Sequence, residues 1–557
     1  MYPDYMLESI KKVEETRPGR LEKSKKYGKE VFPHMTDKER GEVLSKFHPD
    51  YKEGARKEVR VGPNKGEILT TEISDLLESY SRINPKDFNL DKIDYETDVL
   101  VIGAGSAGMA SALVAAKNGS NVLIVTKLRL GDSNSMMAEG GIQAADQRDD
   151  SPTMHYLDVI GGGHFDNKPE LVHALVSDGP ESIKWLEELG VIFDKNPDGS
   201  MLVKSGGGTS RNRMHSCRDY TGAGICRVLR DEVYNLPDKI KYIEYSPVVE
   251  LILDDNGQAV GAVIYHLETK QYSIIKAKSI IMSTGGFGRL HIRGFETTNH
   301  YGATADGIIL GYRVGAKLLF MDSVQYHPTG AVYPEQIVGF LCTEKIRALG
   351  AQPVNADGEL FVYAMEPRDV EASAFIRECT EWKNGITTPS GLCGIWLDSP
   401  LIDQIEGQGT IDKNLPGMVR QFGRFDIDIR KYPMLVYPTL HYQNGGIEIN
   451  DKCETNIPGL YVAGETSGGV HGRNRLMGNS QLDLIVFGRR AGLNASKRAN
   501  NGVKIGKLSL EHIYDYEKEV ADLDINRKKI APILLPDYIP EHVKQKQITA
   551  EYFGTLI

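Results

Sequence analysis

The chain has 557 residues, 40% of them hydrophobic and 25% charged, and its net charge at neutral pH is −10. This length predicts more than one domain and a large core, and the acidic balance argues against general nucleic-acid binding. No apolar run approaches the roughly 18 residues of a membrane span, and no signal peptide is recognised. We therefore expect a cytoplasmic protein that reaches a membrane only through partner chains. The six cysteines form no C-x-x-C pair, so neither an iron–sulfur cluster nor another metal site is expected within this chain.

The first 94 residues form a highly charged N-terminal extension, which we expect to be irregular with a few helices. Apolar residues between Ile73 and Ile83 have the spacing of a short amphipathic helix. Two interpretations remain open for this extension. It either docks on or wraps around the rest of the protein, or it is a solvated segment without a functional role.

The organisation changes near Thr97, where a nucleotide-binding pattern begins. The apolar strand Asp98–Ile102 is followed by a G-x-G-x-x-G turn, an alanine-rich helix and a second strand, Asn121–Val125. This order predicts a Rossmann-like unit whose turn brings backbone close to a pyrophosphate at the helix N-terminus. The residues assigned to this turn are Gly103, Gly105, Ser106, Ala107 and Gly108. The second strand ends in Thr126 and Lys127, where an NAD site usually carries an acidic residue, and this weakens a nicotinamide interpretation.

Small residues recur at two later places that we assign to the same site. The loop residues Ser133, Asn134 and Ser135, followed by Ala138, Glu139, Gly140 and Gly141, would let backbone lie close to a flat ring. A further apolar strand, Ile280–Met282, ends in a glycine-containing junction that includes Thr284 and Gly285. We interpret this junction as a second strand end in the nucleotide-binding layer.

A loop rich in basic residues occurs late in the chain, between a strand and a helix. The strand Gly459–Ala463 leads to Glu465, and the loop from His471 to Ser480 precedes apolar residues with helical spacing. Ser480, with Asp483 three residues later, predicts a capped helix start. The positive end of such a helix suits an anionic group.

These patterns together predict an α/β fold with four parts besides the extension. A Rossmann-like domain occupies residues 95–320 and returns at 441–498. An inserted α+β capping domain of mixed short elements occupies 321–440, and a short C-terminal segment covers 499–557.

Several separated motifs then resemble one family. They are the glycine-rich turn, Ala138–Gly141, Gln325–Gly330, Pro367–Asp369, His441–Gly446 and His471–Ser480, in that order. In this arrangement the chain resembles the fumarate reductase/succinate dehydrogenase flavoprotein family, to which L-aspartate oxidase is similar. The resemblance implies FAD bound in the first domain with the inserted domain over its ring. It assigns further cofactor-binding roles to Asp306, Glu465, Arg475, Asn479, Ser480 and Leu482.

The resemblance also implies a substrate site for a dicarboxylate. His441 and Arg475 would bind one carboxylate, and His327 and Thr343 would bind the other. The planar guanidinium of arginine suits this role because it can donate two parallel hydrogen bonds to a carboxylate. Arg368 would be the proton donor, with Glu344 and Arg347 as its relay. Reduced FAD would transfer hydride to one carbon of fumarate while Arg368 protonates the other.

The sequence departs from the family at four places. Many members attach FAD through a histidine in a Ser-His-Thr segment, and Asn134 stands at that position, so we predict non-covalent FAD and a preference for fumarate reduction. The segment Lys345–Gly350 replaces a glycine-rich one, which puts the relay and the substrate in question. Arg473 replaces a usual alanine and is expected to add charge beside the carboxylate-binding residues. The C-terminal segment is shorter than the family's helical domain.

Three functions remain open. The first is the flavoprotein subunit of a soluble fumarate reductase, which receives electrons from an iron–sulfur partner. The second is an L-aspartate oxidase, which needs an anionic group for the substrate ammonium; residues 204–213 offer none. The third is a flavin subunit of a larger electron-transfer complex that uses another unsaturated acid or has no activity of its own.

Overall fold

The computed structural model describes residues 2–28, 30–290, 294–523 and 529–535. Over these ranges the helices are α1 (Asp4–Tyr27), α2 (Asp37–Phe47), α3 (Thr71–Leu77), α4 (Ser106–Lys117), α5 (Pro152–Gly162), α6 (Pro169–Ser177), α7 (Gly179–Leu189), α8 (Thr221–Tyr234), α9 (Asp306–Arg313), α10 (Lys345–Ala348), α11 (Arg368–Thr380), α12 (Leu401–Glu406), α13 (Thr410–Asn414), α14 (Pro416–Gly423), α15 (Asn479–Asn500) and α16 (Glu511–Ala521). The strands are β1 (Arg56–Glu58), β2 (Ile68–Thr70), β3 (Tyr95–Ile102), β4 (Val122–Val125), β5 (Ile142–Gln143), β6 (Met214–His215), β7 (Ile240–Ile243), β8 (Val248–Asp254), β9 (Ala259–Tyr265), β10 (Tyr272–Met282), β11 (Leu318–Leu319), β12 (Val324–Ala331), β13 (Gln352–Val354), β14 (Ile386–Thr387), β15 (Cys393–Asp398), β16 (Met434–Gln443), β17 (Gly446–Glu448), β18 (Leu460–Val462), β19 (Ser467–Gly468) and β20 (Leu508–Ser509). Within the described ranges, no helix is long and apolar enough to cross a membrane. The end of the predicted C-terminal segment, 536–557, lies outside the described residues.

The largest sheet, called here the nucleotide sheet, has the strand order β20-β8-β9-β10-β3-β4-β7, with β18 beside β10. Strands β18, β10, β3, β4 and β7 run parallel where they pair. The apolar runs of β3 and β4 are buried, as expected for parallel strands covered on both faces. This arrangement confirms the predicted α/β fold with a Rossmann-like unit.

Two glycines of α15 allow it to lie close to α4 on this sheet. A Cβ atom on Gly488 would stand 2.7 Å from the carbonyl oxygen of Ala107, and one on Gly492 would stand 2.3 Å from that of Ser111. Any larger side chain at either position would therefore separate the two helices. The close packing brings the start of α15 next to the turn that follows β3.

A second sheet, the cap sheet, has the order β12-β16-β15-β13 and is antiparallel throughout. Helix α11 packs against β12, β15 and β16, and large side chains including Phe375, Trp396 and Phe422 fill the core beside it. Strand β16 continues to Gln443 and so passes through the predicted domain boundary at 440. Its last residue, Gln443, donates its backbone N–H to Glu465, which follows β18 of the nucleotide sheet, at 3.0 Å.

The N-terminal extension packs on both parts of the protein. Residues 4–27, expected to be irregular, form one long helix, and its buried residues Met6, Ile10 and Val13 belong to the core of the cap. Further along, Val59 and Leu69 belong to the core of the nucleotide sheet. This burial excludes the solvated interpretation for these parts of the extension.

Two arginines of α1 form ion pairs with the cap. Arg17 and Arg20 each place a guanidinium nitrogen 2.8 Å from a different carboxylate oxygen of Asp398, which is fully buried. Helix α3 is shorter than predicted and ends at Leu77, because Glu78 leaves the helical conformation and its carboxylate accepts hydrogen bonds from Arg60.

Candidate active site

The carboxyl ends of four parallel strands meet at one edge of the nucleotide sheet. Strands β3, β4, β10 and β18 all end there, and the residues after them line a cleft of about 1320 Å³, its open mouth included. In open α/β sheets a crevice at this edge is where ligands bind. The predicted cofactor residues that line it are Gly103, Gly105, Ala107, Thr126, Lys127, Ser133, Asn134, Ser135, Ala138, Thr284, Gly285, Asp306, Glu465 and Ser480.

Glycine is required in the turn between β3 and α4. Gly103 has a φ of 101°, and a Cβ atom there would lie 2.3 Å from the carbonyl oxygen of Ser283 on the neighbouring strand end. Gly105 is the N-cap residue of α4; the amide of Ser106 donates to Ser135 Oγ at 3.3 Å, and Gly105 and Ala107 line the cleft. A helix start of this kind can bind a phosphate through its backbone amides.

Polar side chains occupy both ends of the cleft. At one end Asn134 Nδ2 donates to Asn299 Oδ1 at 2.7 Å and to Glu465 Oε2 at 3.3 Å, and burial raises the pKa of Glu465. At the other end Lys127 Nζ lies 2.6 Å from Asp306 Oδ2. A buried carboxylate such as Glu465 is suited to accept hydrogen bonds from hydroxyl groups of a ligand.

The other predicted cofactor residues do not line this cleft. Ser106 contacts Cys226, Asn479 contacts His155, Leu482 belongs to the core, and Gly108 packs under the turn at Gly103. Glu139, Gly140 and Gly141 lie beside it, where the two glycines pack against Met477 and Met214.

The start of α15 differs from the prediction. The N-cap residue is Gly478, with a φ of 80°, and no side chain caps the helix; Ser480 is already inside it. Gly478 is required because a Cβ atom there would lie 2.5 Å from Met214 Sδ. The uncapped amides still face the cleft, which Ser480 and Gln481 line, so the expected positive helix end is present.

Two buried guanidinium groups converge on one glutamine beside the cleft. Gln325 Oε1 accepts hydrogen bonds from Arg368 Nη1 at 3.2 Å and from Arg475 Nη2 at 2.9 Å. The guanidinium carbon of Arg475 lies 4.5 Å from the centre of the Tyr442 ring. Burial and the charge of Arg368 lower the pKa of Arg475 to about 9. The site therefore concentrates positive charge in a buried pocket.

The two predicted substrate histidines are adjacent. The ring centres of His327 and His441 are 4.9 Å apart. His327 is opposite Thr439 in the register of β12 and β16, and His441 lies at the irregularity between the pairs of Gln325 and Tyr326. Burial and the charges of Arg368 and Arg475 lower the pKa of both imidazoles, so both are neutral at pH 7. The backbone N–H of Thr329 donates to His327 Nδ1 at 3.2 Å, which leaves the hydrogen of His327 on Nε2 as a donor. Thr343 is buried in the segment before α10.

A buried chain of charges continues behind Arg368. Arg368 Nε donates to Glu344 Oε2 at 2.7 Å, Arg347 Nη2 lies 3.5 Å from the same oxygen, and Arg347 Nη1 also bonds Glu371. Burial opposes ionisation of Glu344, but the charges of Arg368 and Arg347 hold its pKa below the usual value. The predicted relay residues are therefore contiguous, and Glu371 extends the chain.

The expectation for Arg473 is wrong. Its guanidinium does not add free charge at the site, because it forms ion pairs of 2.6 Å with both Asp166 and Asp322. Gln325 and Tyr442 were not predicted as site residues. Gln325 and His327 are two apart on β12, and this period of two places both side chains on one face of the strand.

The cleft fits FAD by its own features. Glycine backbone and the starts of two helices are available to a pyrophosphate, and Glu465 is available to hydroxyl groups. His441 and Tyr442 line the same cleft, so it reaches the arginine pocket. Over the described residues, no group of three or more potential metal ligands is gathered.

Comparisons with known proteins agree with this fit. The family described as FAD binding domain matches residues 98–481. One chain of the fumarate reductase (CoM/CoB) of Methanothermobacter marburgensis is 36% identical over 80% of this chain and 80% of its own length. An L-aspartate oxidase of Nostoc is 34% identical over 72% of this chain and 69% of its own. The structure of E. coli quinol fumarate reductase FrdA superposes with a TM-score of 0.69, at 31% identity over 77% of this chain and 74% of that one. The chain is therefore an FAD-dependent oxidoreductase of the family that contains the fumarate reductase/succinate dehydrogenase flavoproteins and the L-aspartate oxidases.

Proposed function

We propose that this chain is the flavoprotein subunit of a fumarate reductase-like enzyme that converts fumarate to succinate. The observation that supports this proposal most directly is that Gln325 Oε1 accepts hydrogen bonds from both Arg368 and Arg475. These bonds hold two guanidinium groups in one pocket, which also contains two neutral histidines and opens on the FAD cleft. A small dianion is the ligand that such a pocket compensates best.

The two ends of the substrate are assigned to two sets of donors. Arg475 and His441 bind one carboxylate, and His327 Nε2 and Thr343 bind the other. Both histidines act as neutral donors because their pKa values are lowered. The charge that compensates the substrate therefore comes from the arginines.

Reduced FAD, when bound, supplies a hydride to one alkene carbon. Arg368 gives a proton to the other carbon, and hydride and proton together convert fumarate to succinate. Glu344 is a carboxylate at neutral pH, so the proton that restores the guanidinium is taken up from solvent and passes to Arg368 through Glu344, which is bonded to its Nε. Burial lowers the pKa of Arg368 although Glu344 opposes this shift, and the lower value makes arginine a better acid.

The electron donor is assigned to an iron–sulfur partner chain, since the cysteines of this chain lack cluster spacing. FAD is proposed to be non-covalent because Asn134 stands where the family carries its attachment histidine. An L-aspartate oxidase is less well supported, because Glu344, the carboxylate bonded to Arg368, is already paired with two arginines and so is not free for an ammonium group.

The test is an anaerobic assay of FAD-loaded protein with a reduced viologen dye. Fumarate, L-aspartate (assayed with oxidised dye) and larger enoates are supplied separately, with flavin-depleted protein as the control. We expect dye oxidation with fumarate alone. Turnover of aspartate would favour the oxidase, and turnover of larger enoates without fumarate would favour the third function.

A further inference from the structure

The short loop between α5 and α6 has an unusual backbone. His164 and Phe165 have φ values of 61° and 63°, a left-handed conformation that residues other than glycine adopt only at a cost. The Phe165 side chain is 78% exposed, so burial of its ring does not explain the conformation. The contacts of His164 offer an explanation.

His164 reaches the helix that carries Arg368. Its Nε2 lies 2.7 Å from Oδ2 of Asp369, a buried residue in the first turn of α11 and the chain neighbour of Arg368. The left-handed turn directs the imidazole across to this carboxylate. The second oxygen of Asp369 accepts the backbone N–H of Val370 at 3.0 Å, which fixes the carboxylate in the helix start.

The same loop is bonded to the segment that carries Arg475. The carbonyl oxygen of Gly163 accepts the backbone N–H of Arg473 at 3.1 Å, and Asp166 pairs with the Arg473 side chain. Asn167 Nδ2 donates to the carbonyl oxygen of Val470 at 2.9 Å. A Cβ atom on Gly472 would lie 2.3 Å from the Gly163 oxygen, so the two segments are in direct contact. One loop therefore contacts the carriers of both active-site arginines.

We propose that His164 is a positioning residue, which through Asp369 fixes the start of α11 and so holds Arg368 in place relative to Arg475. This inference rests on the proposed function. His164 itself does not touch the reacting atoms, and it acts through the helix. Because proton transfer depends on sub-ångström placement of the donor, loss of this contact lowers turnover more than substrate binding.

The contact depends on pH. The hydrogen bond to Asp369, opposed by burial, raises the pKa of His164; Asp166 adds to this shift and Arg473 opposes it. On the other side of Asp369, His48 is the further side chain that lowers the pKa of this carboxyl group. The imidazolium is present below the raised pKa and is lost as pH rises through it, so positioning weakens on the alkaline side.

The experiment compares His164→Ala and His164→Gln with His173→Gln, a control at an exposed histidine. Fumarate reduction by FAD-loaded protein is measured against pH, and bound flavin is measured to check folding. We expect His164→Ala to lower kcat about 10- to 100-fold with a smaller change in KM. His164→Gln, which keeps a hydrogen-bond donor, should recover part of kcat but lose the alkaline decline of the wild type.

The outcomes separate this inference from the proposed function. An inactive wild-type protein would overturn the proposed function and this inference with it. An active wild type together with unchanged kcat and pH profile in both His164 variants would overturn the positioning role alone. If the His173 variant loses activity in the same way, the effect is not specific to the loop, and the proposal fails.

Discussion

Arg368 donates a hydrogen bond from Nε to Glu344 Oε2 over 2.7 Å, and neither side chain is more than 8% exposed. A guanidinium is an acid only where its surroundings disfavour the cation. At this position burial disfavours it, and Glu344 provides a partner for proton exchange. The pair is therefore the part of the site where single substitutions are most informative.

Replacing Arg368 with Gln should remove the proton donor while leaving the cleft intact. We expect fumarate reduction to fall by about 10²- to 10⁴-fold, the usual contribution of positioned proton transfer. Flavin content, measured by absorbance, should be unchanged because Arg368 does not line the FAD cleft. Arg430→Gln, at a partly exposed arginine, is the control. Activity retained by the Arg368 variant would assign the proton to another group.

Replacing Glu344 with Gln should destabilise the protein, because Arg368 would stay buried without its counter-charge and Arg347 would keep only Glu371. Breaking such a pair costs about 3–5 kcal/mol. The pKa of Glu344 is lowered from 4.5, so its contribution is present above that pH and is lost as pH falls through the lower folded-state pKa.

Melting temperatures of wild type and Glu344→Gln, measured as a function of pH, test this. The difference should be largest near neutral pH and should shrink below about pH 4.5. Glu335→Gln, at an exposed glutamate, should show no difference at any pH. A constant gap across the whole range would mean that the charge of Glu344 does not stabilise the fold.

Denaturing the protein with acid should release all of its FAD. The side chain at the family's attachment position is Asn134, which is bonded to Asn299 and Glu465 and has no nucleophilic nitrogen. The measurement is flavin absorbance in the supernatant and pellet after precipitation. Yellow colour that remains in the washed pellet would show covalent attachment elsewhere.

Replacing Asp398 with Asn should loosen α1, because Arg17 and Arg20 would lose the carboxylate that neutralises both. We expect a lower melting temperature and faster proteolysis of the N-terminal helix. The matched control is Asp357→Asn, which removes the exposed ion pair of the same helix with Lys12 and should change neither. Equal effects of the two variants would contradict the importance of burial.

Local patterns predicted the nucleotide-binding unit well. The apolar run before Gly103 and the glycine spacing depend on neighbours in the sequence, and the structure confirms the strand, turn and helix. The capped start of α15 was predicted wrongly at Ser480. The deciding factor is the close approach of Met214 to Gly478, a contact between residues far apart in the sequence.

Ion pairs between residues far apart in the sequence could not be predicted from the sequence alone. Arg473 was expected to add charge at the site because it stands where the family usually has alanine. Its partners Asp166 and Asp322 come from other segments. The N-terminal extension differs in part, since Met6, Ile10 and Val13 have the spacing of one helix face and could have predicted a helix. The two cores that the extension joins depend on contacts with distant segments.

The N-terminal extension has a consequence for how the protein melts. One continuous stretch contributes Met6 and Ile10 to the core of the cap and Val59 and Leu69 to the core of the nucleotide sheet. Neither core can unfold unless the N-terminal extension detaches from it. Calorimetry of the intact protein should therefore show one cooperative endotherm, in place of separate transitions for two independently unfolding halves.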